Sequence, residues 1–363
     1  MKLNQVKTNC RHFKGDIPCK PHKQYGVHCI DSEGKTCKYY DQIDKKILII
    51  KLGAIGDVIR TTPLFTRLKN ENPKAKFFWL TLSTEVIPAE VDVVLKFDYK
   101  SALYLQSTKF DVAINLDKDA EACSLLDRIN SDNKFGFTLK DGLTHPADEK
   151  AEHKFLTGIF DDLNQKNTKS YLEEIFEICG IKYKGEKYVL NSFEEFNSDW
   201  NLPYDKKIIG LNTGCGGRWT TRLWADEYWI KLANLLHEAG YYVLFLGGEQ
   251  ENEKNTFISS RSNGNYLGFF PLEKFINLVN QCDLVVTAVT MAMHITLALN
   301  KKIVLFNNIF NPNEFELFGL GEIISPEKEC KCFFRPECIN EKYQCMTTLY
   351  PEKVFETVQK VLS

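Results

Sequence analysis

KILIIKLGAIGDVIRTTP, residues 46–63, is the stretch from which the fold class follows. KILIIKL (46–52) is a short, almost wholly aliphatic run, the pattern of a strand covered on both faces in a parallel sheet. GAIGD (53–57) supplies a turn, and VIRTTPLFTRLKN (58–70) reads as the helix that follows it. Gly53 and Gly56 let the chain turn sharply and bring backbone close to a ligand. A helix start offers free N–H groups, which suit an anion or a polar substrate. The G-x-G-x-x-G spacing is absent and no Gly-Lys-Ser/Thr follows, so this is neither a dinucleotide fingerprint nor a Walker loop. Asp57 stands at the expected helix start with two roles open to it. It can cap the helix by accepting backbone N–H bonds, or act as a general base toward an acceptor hydroxyl.

Outward from this stretch, strand–helix alternation continues on both sides of one linker. Strands are expected at 76–82, 92–98, 111–117 and 134–139, with helices at 124–130 and 171–180. After the polar stretch 191–205 a second series runs strand 207–213, helix 224–240, strand 241–247 and a helix near 250–260. Helix 272–282, strand 283–288, helix 290–300, strand 301–307 and a last amphipathic helix 351–362 complete it. The division expected is a Cys-rich arm (1–45), a first Rossmann-like domain (46–195) and a second (206–363). Ligands of open α/β sheets bind beyond the C-terminal strand ends, which places the site in a cleft between the halves.

Three loops of the second half carry candidate chemistry. LNTGCGGRWTTRLWADEYW (211–229) lies between a buried strand and a long helix, where phosphates are commonly held. Gly214 gives backbone reach, Thr213 and Thr221 give hydroxyls, and Arg218 and Arg222 give charge for a departing diphosphate. An exposed loop with surface arginines is the plainer alternative. In FLGGEQENE (245–253), Glu249 or Glu251 suits a nucleotide ribose, or simply favours the helix dipole. In VVTAVTMAMHITLALN (285–300), His294 lies on an apolar helix, where a histidine is usually a satisfied core residue.

The stretch 46–69 closely resembles the opening strand–loop–helix of the heptosyltransferases, glycosyltransferase family 9, with its K-x-x-x-x-G-D turn and T-x-P helix. The resemblance extends through ordered motifs over 46–360. It implies a GT-B fold, an inverting sugar transfer from a nucleoside-diphosphate sugar, ADP-heptose first, and no catalytic cofactor. On this resemblance Asp57 is the catalytic base, Arg222 is the cation two residues before the helix-opening Trp224, and Thr290 and His294 match the Thr and His of a D-T-G-x-x-H core. That core is incomplete here. Its Asp falls on Val289 and its Gly on Met291. The acceptor implied is a glycolipid core sugar or a protein hydroxyl.

Composition narrows the alternatives. The chain has 363 residues, 44% of them apolar, and a net charge of −2, without the basic footprint of a nucleic-acid binder. Residues 1–46 hold ten Lys/Arg against five Asp/Glu, a balance of +5 that leaves −7 for the rest. Such an arm is a solvated surface, or it meets an acidic partner or an anionic membrane face. No apolar run spans a membrane and no secretory pattern opens the chain, so a cytoplasmic protein is expected, with contact at the inner membrane face and homo-oligomers both compatible. Against that compartment, twelve cysteines stand out. Cys10, Cys19, Cys29 and Cys37 cluster at the front, with His12, His22 and His28 among them; Cys330, Cys332, Cys338 and Cys345 cluster at the rear. The rear group resembles the Cys-rich tail of many family members, some of which hold iron there. A structural zinc or iron at each cluster is expected, and disulfides are the alternative. Two other functions are weighed: a catalytically degenerate, metal-stapled assembly or binding subunit of the same fold, and a nicotinamide-dependent oxidoreductase, which the missing fingerprint disfavours.

Overall fold

The computed structural model describes residues 2–363 and contains two six-stranded sheets. The first comprises β1 (Lys46–Ile50), β2 (Lys76–Thr81), β3 (Val93–Lys96), β4 (Lys109–Asn115), β5 (Asn130–Lys140) and β6 (Leu143–Pro146), in the order 3-2-1-4-5-6. All its pairings are parallel except β5–β6. The second comprises β7 (Ile208–Asn212), β8 (Tyr242–Leu246), β9 (Asn265–Tyr266), β10 (Leu284–Ala288), β11 (Lys302–Phe306) and β12 (Gly321–Ile324), all parallel, in the order 12-11-10-7-8-9. Both are Rossmann-like, as the alternation of short apolar runs and helical patterns requires.

β1 occupies the middle of its sheet, which explains its composition. Leu48, Ile49 and Ile50 are each fully buried, and burying such a side chain stabilises by about 1.5–3 kcal/mol relative to leaving it in water. The same logic applies to β7 and β10, buried at every position. β6, β9 and β12 escaped the sequence reading because each is an edge strand of four residues or fewer.

The helix expected over 58–70 is broken in two, Ile55–Ile59 and Thr62–Glu71. Pro63 is the cause, because a ring without an N–H fits only the first turn of a helix and disfavours helical backbone just before it. Thr62 Oγ1 donates to the Ile59 carbonyl at 2.7 Å and accepts the Val189 N–H at 2.8 Å, which holds the break.

Two compact units follow from the packing, and they do not run with the linear boundaries 46–195 and 206–363. One comprises Met1–Leu52, Phe65–Leu82 and Ala89–Ala147; the other comprises Gly53–Leu64, Ser83–Pro88 and Asp148–Ser363. Segments 53–64 and 148–195 thus pack with the second sheet. The reason is side-chain chemistry: Arg60 stacks on the Tyr171 ring at 3.4 Å, Asn164 Nδ2 donates to Glu314 at 3.0 Å, and Asn311 Nδ2 donates to the carbonyls of Asn164 and Asn167.

The Cys-rich segment 2–45 is likewise tied down within the first unit rather than standing free as an arm. Arg11 bonds Asp41 at 2.9 Å, Asp92 at 2.5 Å and the Ala75 carbonyl at 3.1 Å. Among the described residues no helix is long and apolar enough to cross a membrane.

Candidate active site

In the second unit the loops after β7, β8, β10 and β11, together with segment 53–60, enclose a cavity of about 760 Å³. Of the residues singled out by sequence, Gly56, Asp57, Gly214, Arg222, Glu249, Glu251, Thr290 and His294 line it. Thr213, Arg218, Thr221 and Gly53 are not among its lining residues. Thr213 is buried, donating to Asn255 Oδ1 at 2.6 Å; Thr221 donates to the Arg335 carbonyl at 3.1 Å; Arg218 is exposed, with its guanidinium 4.8 Å from the Trp219 ring centre.

Asp57 does not occupy the cap position; Ala54 does. From three residues further on, the Asp57 carboxylate reaches back to the Ala54 N–H at 3.3 Å and pairs with Arg60 at 2.8 Å, one helical turn ahead. It remains 35% exposed, so a substrate hydroxyl can approach it. Arg60 is the residue that sequence reasoning missed here, although a cation at i+3 from the acid was visible. Desolvation works against the buried guanidinium, but Asp57, Tyr171, Glu314 and Tyr188 together outweigh it and raise the Arg60 pKa above its ordinary value.

Arg222 is 5% exposed, and its hydrogen-bond partners are all carbonyl oxygens, Cys215 at 2.9 Å, Trp219 at 3.5 Å and Val289, while its guanidinium lies 5.2 Å from the Phe310 ring centre. Among the described residues no carboxylate is paired with it. Desolvation therefore pushes its pKa down to about 10. A buried cation without a counter-charge, on the wall of a cavity, is poised for an anion. Residue 289 is a valine, and its backbone carbonyl accepts from Arg222.

His294 is buried, its Nδ1 has no hydrogen-bond partner, and burial with help from the Arg60 charge pushes its pKa down to about 3. It is a neutral imidazole at pH 7, not a cation for phosphate. Its ring lies flush against the helix of Asp57: a Cβ at Gly56 would stand 2.5 Å from His294 Cδ2. Gly56 thus permits a close approach of two helices, Ile55–Ile59 and Met291–Ala298. Gly214 plays the same part for Glu251, whose Oε1 would be 2.2 Å from an added Cβ. Glu251 also accepts the Gly248 N–H at 2.9 Å, starting the helix that follows β8. Asn212, at the end of β7, donates to Thr287 at 3.0 Å and to Thr290 at 3.4 Å, so the Thr290 hydroxyl is held in a polar network.

The front cysteines Cys10, Cys19, Cys29 and Cys37 line one small cavity of about 170 Å³, together with His12, His22 and His28. The rear four form two pairs: Cys332 Sγ lies 3.7 Å from Cys338 Sγ, and Cys330 bonds Cys345. All eight are free thiols. Among the described residues no three His, Cys, Asp or Glu side chains are gathered closely enough to hold an ion.

Two Rossmann-like units, each built on a six-stranded and mostly parallel sheet, give the GT-B class of architecture. The family model of glycosyltransferase family 9 (heptosyltransferase) matches residues 100–344, and the chain belongs to that family. It is 22% identical over 226 residues to lipooligosaccharide heptosyltransferase 2 of Campylobacter jejuni, a match covering 58% of this chain and 65% of that protein. Its fold matches a glycosyltransferase family 9 protein of Veillonella parvula (TM-score 0.66, 18% identity, 89% of this chain and 98% of the other). It also matches the ADP-heptose LPS heptosyltransferase II of E. coli (TM-score 0.63, 17% identity, 87% and 98%).

Proposed function

We propose that the protein transfers a sugar from a nucleoside-diphosphate donor, ADP-heptose being the first candidate, to a hydroxyl of a lipooligosaccharide-type glycolipid or of a protein. The carrying observation is that Arg222, buried with no carboxylate partner among the described residues, lines the same cavity as the partly exposed Asp57 carboxylate. In this mechanism Asp57 takes the proton of the acceptor hydroxyl as its oxygen attacks the anomeric carbon. Arg222 and the N–H groups of the 214–216 loop stabilise the departing diphosphate. One displacement inverts the configuration. Glu249 is free to meet the ribose, whereas Glu251 is engaged by the Gly248 N–H. The donor names carried by relatives support the reading. Thermal shift with ADP, GDP and UDP tests it: at least one should raise Tm by several degrees at millimolar concentration. No shift with any of the three would favour the degenerate subunit, which Val289 motivates.

We further propose that the cysteine clusters hold structural zinc or iron. A tetrahedral thiolate site with metal–sulfur bonds of about 2.3 Å has sulfur–sulfur edges of about 3.8 Å. The Cys332–Cys338 separation of 3.7 Å fits one such edge. The Cys332 N–H donates to Cys330 Sγ and the Ile339 N–H to Cys332 Sγ, as thiolates favour. Loading would draw the two rear pairs together. Elemental analysis of protein purified without added metal should give at least one zinc or iron per chain. Less than about a tenth of an equivalent, with thiols oxidised, would sink the idea. Work at the inner membrane face, and in a homo-oligomer, is consistent with a glycolipid acceptor.

A further inference from the structure

The rear cysteine loop does more than close the chain; it reaches the cavity. Phe334, between Cys332 and Cys338, lines it beside Phe310 and Trp219. The three rings pack edge to face, Trp219–Phe310 at 5.6 Å, Trp219–Phe334 at 5.9 Å and Phe310–Phe334 at 5.0 Å between centres. Phe334 is nevertheless 38% exposed, so one side of this aromatic wall is open.

Its backbone is held in an unfavourable state. Phe334 has φ +50°, a left-handed conformation that a bulky residue adopts only where its surroundings over-determine it. Those surroundings are specific. The Phe334 N–H donates to the Ile309 carbonyl at 2.9 Å, and Cys332 and Cys338 pinch the loop on either side at 3.7 Å. Thr220 and Thr221 donate to the carbonyls of Pro336 and Arg335. Asn308 Nδ2 donates both to the Thr221 carbonyl at 3.0 Å and to Cys345 Sγ at 3.4 Å. The thiol loop is therefore fastened to the loop that carries Arg222.

Sheet order says which part of a donor would meet this wall. β8 and β11 lie on opposite sides of the adjacent pair β7–β10. Glu249, the ribose candidate, follows β8; Arg222 and Thr290 follow β7 and β10; Phe310 follows β11. With the ribose at β8 and the diphosphate across β7 and β10, the sugar lies toward β11. An aromatic ring there suits the apolar face of a sugar ring.

We propose that Phe334 is a specificity-determining contact for the transferred sugar, presented by the thiol-pinched loop Cys332–Cys338. This rests on the donor reading of the cavity. Its test compares ADP-heptose with ADP, or the GDP- or UDP-sugar pair selected by thermal shift, by calorimetric titration of wild type, Phe334→Ala and Phe334→Tyr. Phe334→Ala should bind the nucleotide sugar about tenfold more weakly, a typical effect of one aromatic contact. It should bind the sugar-free nucleotide within about twofold of wild type while still unfolding cooperatively, and Phe334→Tyr should restore sugar binding. Unchanged affinity for the nucleotide sugar, or equal losses for both ligands, would overturn the proposal while leaving the donor reading intact. Failure of wild type to bind any of these ligands would remove the donor reading and this inference with it.

Discussion

Asp57→Asn should lower the turnover of sugar transfer by roughly 10²–10⁴-fold, the range associated with losing a positioned general base, while leaving nucleotide affinity near wild type. Asparagine keeps an oxygen for the Ala54 N–H at the helix start and has nearly the same volume. What it loses is the ability to take a proton, and its ion pair with Arg60. Arg60 keeps its place on the Tyr171 ring, so the helix 55–59 should remain docked against Met291–Ala298. Release of nucleoside diphosphate in the presence of acceptor measures the effect, with Tm and nucleotide titration run beside it. Turnover within about threefold of wild type would assign the carboxylate to the helix start alone.

Arg222→Met should weaken nucleoside-diphosphate binding and cut turnover by about 10²–10³-fold, the cost of removing one preorganised donor to a developing anion. Methionine fills the buried volume but abandons the carbonyls of Cys215, Trp219 and Val289. Each buried acceptor left without a donor costs about 1–3 kcal/mol, so some loss of Tm is expected as well. Arg222→Lys separates the two effects. It restores the charge without the planar fork that spans several oxygens, and should recover more of the stability than of the turnover. A methionine variant with wild-type nucleotide affinity would rule out Arg222 as the diphosphate cation.

The two predictions differ in how far they could be read before the structure. Asp57 was legible because its whole context is local: a buried strand, a glycine turn and a helix start lie within a dozen residues. Arg222 was legible as a charge at the right interval before Trp224, but its burial and its carbonyl partners were not. Those depend on Val289, 67 residues further along the chain. The aromatic wall of Phe310 and Phe334 had no signal at all, because loop phenylalanines beside cysteines carry no periodicity. Thr213, Thr221 and Arg218, chosen for their side-chain chemistry, are turned to the fold or to solvent instead of lining the cavity.

Sequence alone determined the class of this protein. Strand and helix periods, the order of the two βα series, the G-D turn and the clustering of thiols are all written over short separations, where each residue's neighbours are also its physical context. Tertiary structure decided the site. It moved segments 53–64 and 148–195 onto the second unit and laid His294 flush on Gly56. Among the described residues it left Arg222 with no carboxylate partner, and it brought the rear cysteine loop to the cavity wall. Burial and pairing of charges depend on contacts between residues distant in sequence, and no local pattern records which of those contacts a folded chain will make.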